Sequence, residues 1–213
     1  MSAPLIIAVD GPAAAGKGTL ARRLAAHFGL PYLDTGLLYR AVGRLVLDTG
    51  ADPHDPATAE TAARRLQAED LGRGDLRDQE AAAAASAVAA IPGVRAALLD
   101  FQRSFGRAAG AVLDGRDIGT VVFPDAPAKL YVTASVEARG HRRWLELHTR
   151  GLEADLATVT EEVRARDAAD AARAAAPMKP APDAWQLDTT SLDADASFVA
   201  ALALLAGVVG RKE

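Results

Sequence analysis

The sequence predicts an α/β fold built on a parallel, doubly wound sheet, and three observations support this prediction. The 213 residues are enough for one sizeable α/β domain with a buried core. Residues 5–9, LIIAV, are a short apolar run of the kind found in parallel strands that are buried on both faces. Strand-like and helix-like segments then alternate along the chain, which is the order that a parallel sheet with covering helices requires.

The first predicted strand runs straight into a glycine-rich loop. Gly11, Gly16 and Lys17 match the pattern G-x-x-x-x-G-K, and LARRLAAHF (20–28) reads as the amphipathic helix that should follow such a loop. Inward-turned backbone N–H groups, a helix N-terminus and a lysine together form an anion site. The sequence therefore predicts nucleoside triphosphate binding by nine consecutive residues: Gly11, Pro12, Ala13, Ala14, Ala15, Gly16, Lys17, Gly18 and Thr19. Gly18 occupies the usual Ser/Thr position, so the loop hydroxyl comes one residue later.

The remaining elements follow from the same alternation of apolar and polar stretches. A short strand leading into a turn is predicted at PYLDTG (31–36), and strand-to-loop junctions at AVLDGRD (111–117) and AKLYVTAS (128–135). A last strand is predicted at WQLDTT (185–190). Helices are predicted at 37–50, at 80–90, from Pro92 to near Gly106 and Gly110, over 136–176 with a break at Gly151, and at the C-terminus. The polar residues 52–80, which contain several Pro and Gly, are predicted to hold one short helix.

Composition narrows the function classes. A net charge of −4 argues against binding to a nucleic-acid polymer, and the absence of cysteine excludes disulfides and thiolate chemistry. Twenty Arg against four Lys suits a phosphate-handling site, although codon bias explains the same excess. We expect no secretory signal, and the uncharged stretch 198–210 is too short to span a bilayer. These features predict a cytoplasmic protein with no membrane contact. We also expect a monomer that binds small-molecule partners.

Polar clusters mark the ends of predicted strands, where ligands of open parallel sheets bind. Besides the glycine-rich loop, they are 34–40 and 114–117, and a further cluster of Arg166, Asp170 and Arg173 shares one face of a predicted helix. Each cluster has a plain alternative. The helical cluster can be a solvated face, Asp114 a turn residue, Thr35 a helix N-cap and Ser86 an ordinary surface serine.

Taken together, these segments resemble the bacterial cytidylate kinases, a family of nucleoside monophosphate kinases, over nearly the whole chain. The resemblance rests on IAVDGPAAAGKGT, LDTGLLYR, ASAVAAIPGVR, LDGRDIGTVVFPDAP, HRRWLEL and RDAADAARAAAP, of which DGRDIGTVVFPDA is the most specific. It implies a three-layer P-loop NTPase core with a parallel five-stranded sheet (about 1–34, 107–136 and 177–213). It also implies a helical monophosphate-binding subdomain (about 35–106) and a mobile lid within 137–176.

The resemblance also implies residue roles. The loop Gly11 to Thr19 would hold the ATP phosphates, with Lys17, Arg116 and Arg173 as catalytic residues and Mg²⁺ near the Thr19 hydroxyl. The implied CMP contacts are, for the phosphate, Thr35, Arg40, Arg116 and Arg173; for the cytosine, Ser86, Arg95 and Asp117; and for the sugar, Arg166 and Asp170. The implied reaction is direct transfer of the γ-phosphoryl group of ATP to CMP or dCMP in pyrimidine nucleotide metabolism.

This chain departs from the family pattern in two places. Many relatives carry a strand-containing insert where this chain has only AEDLGRGD (68–75), so we do not expect that small sheet here. The lid helix has alanine at 169, 171 and 172, where relatives often carry Arg or Asn, so its charge is reduced.

Two alternative functions remain open from the sequence. The same chemistry could act on another acceptor, such as UMP, AMP or a small metabolite, although DGRD and the pair Ser86 and Arg95 favour cytosine. A nucleotide-dependent switch is the alternative from a different class, but the guanine-reading N-K-x-D motif is absent.

Overall fold

The computed structural model describes residues 4–173 and 176–209. The chain divides into two compact units. One comprises the residues up to Leu33 together with those from Ala109 onward, and the other comprises Asp34–Ala108. Below, we refer to them as the sheet unit and the helical unit.

A five-stranded sheet forms the centre of the sheet unit, which confirms the predicted α/β fold class. The strands are β1 (Ile6–Asp10), β2 (Tyr32–Asp34), β3 (Ala111–Gly115), β4 (Ala128–Thr133) and β5 (Trp185–Asp188), in the order β2-β3-β1-β4-β5. β1 pairs in parallel with β3 and β4, and β4 with β5. All five residues of β1 and of β3 are buried, as their apolar sequences predict.

Eight α-helices complete the described chain. They are α1 (Lys17–Phe28), α2 (Thr35–Asp48), α3 (Pro56–Arg65), α4 (Gln79–Ala89), α5 (Pro92–Ala109), α6 (Val136–Thr149), α7 (Leu156–Ala171) and α8 (Ala194–Val209). α1 and α8 pack on the sheet through Leu20, Leu24, Ala201 and Leu205, which are all buried among the strand residues. The predicted break in the lid segment lies between α6 and α7, where Gly151 has φ +73.

The helical unit is held together by close packing of α2 on α4. A Cβ at Gly43 of α2 would lie only 2.8 Å from the Cβ of Ala84 on α4, so these helices approach at a distance that only small residues allow. The alanine-rich sequence of α4 therefore serves packing as well as helix propensity. The segment 68–75 lies in two short 3₁₀ helices and contains no strand.

One predicted element boundary is wrong. Arg166, Asp170 and Arg173 were expected on one helix, but α7 ends at Ala171 with Ala172 as its cap, so Arg173 follows the helix. Among residues 4–173 and 176–209, no single helix is long and apolar enough to cross a membrane. α4 and α5, bent by 100° at their junction, pass that test of length and composition only as a pair.

Candidate active site

The glycine-rich loop connects β1 to α1 and has the backbone of an anion cradle. Gly11 has φ +144, and a Cβ there would lie 2.0 Å from the carbonyl oxygen of Val132, so only glycine fits. Gly16, with φ +86, is the left-handed N-cap residue directly before α1, and even Ala14 takes a positive φ of 58. These conformations turn successive N–H groups toward one side, at the positive end of the helix dipole.

Two carbonyl groups of this loop are held by side chains from other elements. Thr189, which follows β5, donates its hydroxyl to the carbonyl oxygen of Ala15 at 2.9 Å. The buried Arg139 of α6 donates to the carbonyl oxygen of Ala13 at 3.3 Å and forms an ion pair with the partly exposed Asp167 of α7. The loop is thus fixed by its neighbours before any ligand binds, which lowers the entropic cost of binding.

Lys17 lies at the start of α1 beside a buried carboxylate. Its ammonium is 3.5 Å from Oδ1 of Asp114, which ends the apolar run of β3 and is only 5% exposed. The other oxygen, Oδ2, accepts a hydrogen bond of 3.2 Å from the hydroxyl of Tyr32. A Cβ at Gly18 would lie 2.9 Å from that same oxygen. A side chain at position 18, where Ser or Thr is usual, would therefore crowd this carboxylate.

Asp10, the last residue of β1, is a second buried carboxylate. It is 4% exposed and accepts backbone hydrogen bonds from Ile118 at 2.8 Å and Gly119 at 2.7 Å. The pKa of Asp10 is raised to about 7, because burial and, to a smaller extent, the charges of Asp117 and Asp114 outweigh the lowering effect of the two N–H groups. Sequence reasoning missed this residue, although an acidic side chain that ends an otherwise apolar buried strand is a usable signal.

The predicted phosphate-binding arginines Arg116 and Arg173 meet on one carboxylate. Nε of Arg116 donates to Oδ2 of Asp170 at 2.9 Å, and Arg173 donates to the other oxygen. The Asp170 side chain is 2% exposed. Burial by itself raises the pKa of Asp170, but attraction to Arg116, Arg173 and Arg166 outweighs it, so the pKa is lowered. An ionised Asp170 therefore holds two guanidinium groups at fixed positions.

The strand register places these arginines relative to the loop. Asp10 at the end of β1 pairs with Gly115 at the end of β3, so the glycine-rich loop and Arg116 leave adjacent strands at the same edge. Asp117, the next residue, is 6% exposed. The solvated-face alternative for the Arg166 cluster does not fit the buried Asp170.

The helical unit contains the other predicted site residues. Thr35 is the first residue of α2 and is buried, while its neighbour Asp34 is the N-cap. Arg40 donates to the carbonyl oxygen of Leu76 at 2.9 Å. Ser86 is half-buried on α4 and contacts the Ala82 carbonyl at 3.3 Å. Arg95 lies with its guanidinium carbon 5.6 Å from the centre of the Tyr39 ring.

Comparisons with known proteins agree with the resemblance. Residues 7–204 match the sequence profile of the family described as cytidylate kinase. The cytidylate kinase of Acidiphilium cryptum is 61% identical over 211 residues, which cover 99% of this chain and 100% of that protein. The cytidylate kinase of Granulibacter bethesdensis is 66% identical over 194 residues, or 91% and 93% of the two chains. The crystal structure of an uncharacterized protein from Eubacterium ventriosum matches with TM-score 0.54 and 14% identity over 97% of this chain and 99% of that one, which shows the fold alone.

Proposed function

The chain belongs to the cytidylate kinase family, and we propose that it phosphorylates CMP and dCMP to the diphosphates with ATP as the donor. The observation that carries this proposal is the common edge at which the glycine-rich loop and Arg116 leave paired strands. A triphosphate cradle and fixed guanidinium groups at one edge suit transfer between two phosphates.

The proposed reaction is a direct displacement. An oxygen of the CMP phosphate attacks the γ-phosphorus of ATP, the bond from that phosphorus to the β–γ bridging oxygen breaks, and ADP leaves. The transition state spreads negative charge over the transferred phosphoryl oxygens, so catalysis consists mainly of positioning and charge stabilisation. Lys17 and the loop N–H groups are proposed to hold the ATP phosphates. Arg116 and Arg173, fixed by Asp170, are proposed to bind the acceptor phosphate and the migrating group.

Recognition of the cytosine base is proposed to use a carboxylate that accepts a hydrogen bond and an arginine that donates one. A carboxylate at Asp117 can accept from the N4 amino group of cytosine, and Arg95 can donate to N3 or O2. Uracil would place a carbonyl oxygen opposite Asp117 and leave a buried group unpaired, which is costly. The proposed phosphate contacts of the helical unit are Thr35 and Arg40, and Ser86 is proposed to face the base. Arg166 and Asp170 are proposed to bind the sugar hydroxyls.

Mg²⁺ is the metal we propose to accompany ATP. Among the residues that the structure describes, no cluster of three or more His, Cys, Asp or Glu could hold a metal by itself. That fits Mg²⁺, which is commonly held by substrate phosphates, waters and few protein oxygens. The exposed Thr19 hydroxyl in the first turn of α1 is the proposed protein contact. Bound Mg²⁺ would supply charge neutralisation at the β- and γ-phosphates.

The proposed reaction requires only small-molecule partners. The net charge of −4 gives no basis for attraction to a nucleic-acid polymer or an anionic membrane surface. We propose that the protein acts as a monomer in the cytoplasm, where its nucleotide substrates are held.

Transfer of labelled phosphate tests the proposed function. ATP labelled at the γ-phosphorus should yield labelled CDP from CMP with the wild-type protein. Lys17→Ala should lower kcat by about 100-fold to 1,000-fold, because it removes a charge that stabilises the transition state. A folded Lys17→Ala variant with near-normal turnover would contradict the assignment of the loop. Label released as inorganic phosphate without CMP would contradict the kinase function and favour the switch.

A further inference from the structure

Asp10 joins two parts of the sheet unit that are far apart in sequence. It ends β1 immediately before the glycine-rich loop, and its two oxygens accept the N–H groups of Ile118 and Gly119 at 2.8 and 2.7 Å. Those two residues directly follow Arg116 and Asp117. One buried side chain thus connects the start of the proposed ATP loop to the turn that carries the proposed acceptor contacts.

The turn that Asp10 holds is tightly packed. A Cβ at Gly119 would lie 3.1 Å from Cδ of Lys129 on β4 and 3.3 Å from Oδ2 of Asp10. The backbone of Asp117 is fixed from its other side, because its carbonyl oxygen accepts a hydrogen bond of 2.9 Å from Val121. The two hydrogen bonds to Asp10 are therefore among the contacts that hold the turn directly after Arg116 and Asp117.

We propose that Asp10 is a positioning residue for the acceptor nucleotide, which sets the turn of Arg116 and Asp117 so that CMP binds at the correct place beside the ATP loop. This inference rests on the proposed function, because it takes CMP as the acceptor. It assigns Asp10 no contact with either substrate. Its expected signature is a change in KM for CMP that is larger than the change in KM for ATP.

The charge state of Asp10 makes this role measurable. An ionised carboxylate offers two good acceptor oxygens, whereas a protonated one offers a single good acceptor, so protonation weakens one of the two bonds. Because burial raises the pKa of Asp10 to about 7, this change falls near neutral pH. The neighbouring charged and titratable groups are Asp114 of β3, Asp117 of the turn, and Lys129 and Tyr131 of β4.

Asp10→Asn tests the inference, since the amide has nearly the same shape but only one acceptor oxygen. Initial rates with Mg·ATP and CMP should be measured from pH 5.5 to 8.5 for the variant and the wild type. At pH 8 we expect the variant to raise KM for CMP by about fivefold to tenfold, as for the loss of one charge-assisted hydrogen bond. KM for ATP should change less than twofold. Asp55→Asn is the matched control, because Asp55 also accepts a backbone N–H, from Thr58 at 2.9 Å, as the N-cap of α3.

The pH dependence of KM for CMP is a second readout. KM for CMP should fall as the pH rises through about 7. The phosphate of CMP also titrates near pH 6, so the ratio of variant to wild-type KM is the quantity to compare. That ratio should be near one at pH 5.5 and rise toward pH 8, because the amide mimics the protonated acid.

Two results would overturn the inference. A KM for CMP that is unchanged in Asp10→Asn, or a ratio of KM values that is independent of pH, would show that the hydrogen bonds do not position the acceptor. Equal increases in KM for CMP and ATP would show a general structural role instead. Absence of CDP with the wild-type protein would overturn the proposed function itself, so the two failures are distinguishable.

Discussion

The side chains of Arg116 and Arg173 share a single carboxylate, and this arrangement defines what each residue can contribute. Both oxygens of Asp170 are engaged in ion pairs. A buried carboxylate between two cations stays ionised and restricts their rotamers, which would preorganise the guanidinium groups for the proposed phosphate contacts. Sugar recognition by Asp170, which the family resemblance implies, stays a prediction, and it would have to use the remaining acceptor capacity of a paired carboxylate.

Arg173→Ala should lower kcat by about 100-fold or more, because the proposed mechanism uses this cation to stabilise transition-state charge. Its effect on KM for ATP should be small. The matched control is Arg164→Ala on the same segment, where the arginine side chain is 50% exposed and pairs with the exposed Glu161. An exposed pair contributes little, so the control should keep normal rates in steady-state assays. Equal rates for the two variants would contradict the role of Arg173.

Some residue assignments could be made from the sequence and others could not. The loop Gly11 to Thr19 was predictable because its motif is local and its backbone conformation demands glycine at fixed spacing. The hydrogen bonds that Ile118 and Gly119 donate to Asp10 join residues more than a hundred positions apart in sequence, so only the fold brings these groups together. Likewise, the ion pair of Arg116 with Asp170 joins the residue directly after β3 to the end of α7.

At the scale of elements, α2 and α4 pack closely because residue 43 of α2 is a glycine. A Cβ at Gly43 would lie 2.8 Å from the Cβ of Ala84 and 2.9 Å from its carbonyl carbon, so the two helices would have to separate. We expect Gly43→Ala to destabilise the protein by about 1–3 kcal/mol, the usual cost of overpacking, despite the better helix propensity of alanine.

Gly207 of α8 is the matched control for this prediction. A Cβ there would have no atom within 4 Å, so Gly207→Ala should be neutral or should stabilise by up to about 1 kcal/mol. Denaturant unfolding of both variants measures the difference. A Gly43→Ala protein as stable as Gly207→Ala would contradict the packing argument.

Most elements were predictable because their sequences agree with their surroundings. The apolar runs of β1 and β3 are buried on both faces, and Pro92 begins α5 as its fixed φ suggests. The end of α7 was not predictable, because the run of alanines after Asp170 favours a longer helix. The pairing of Arg173 with Asp170 is made from beyond the helix end, which spacing alone does not indicate.

At the scale of the whole molecule, Asp10 links protonation to folding. Its pKa is about 7 in the native protein, against 3.8 for an exposed aspartate. Between pH 3.8 and about 7, Asp10 is therefore protonated in the native state and ionised in the unfolded chain. Stability should therefore fall as the pH rises from about 4 to about 7, by an amount on the order of 4 kcal/mol at most. Asp170, whose pKa is lowered, stabilises the folded protein throughout this pH range, and its contribution is lost only at more acidic pH.

Denaturant unfolding of the wild type and Asp10→Asn across this range measures the effect. The amide does not titrate, so the variant should gain stability relative to the wild type as the pH rises. A difference in unfolding free energy that stays constant from pH 4 to 8 would show that Asp10 has an ordinary pKa. The buried position of this carboxylate would then need another explanation.

The measurement that tests the central claim most directly is ADP release from Mg·ATP with CMP, dCMP, UMP, AMP or no acceptor. We predict turnover with CMP and dCMP only. In Asp117→Ala the preference for CMP over UMP should fall by roughly tenfold to a hundredfold, because the carboxylate that we propose disfavours uracil is gone. Turnover confined to another acceptor, or ADP release that needs no acceptor, would contradict the account.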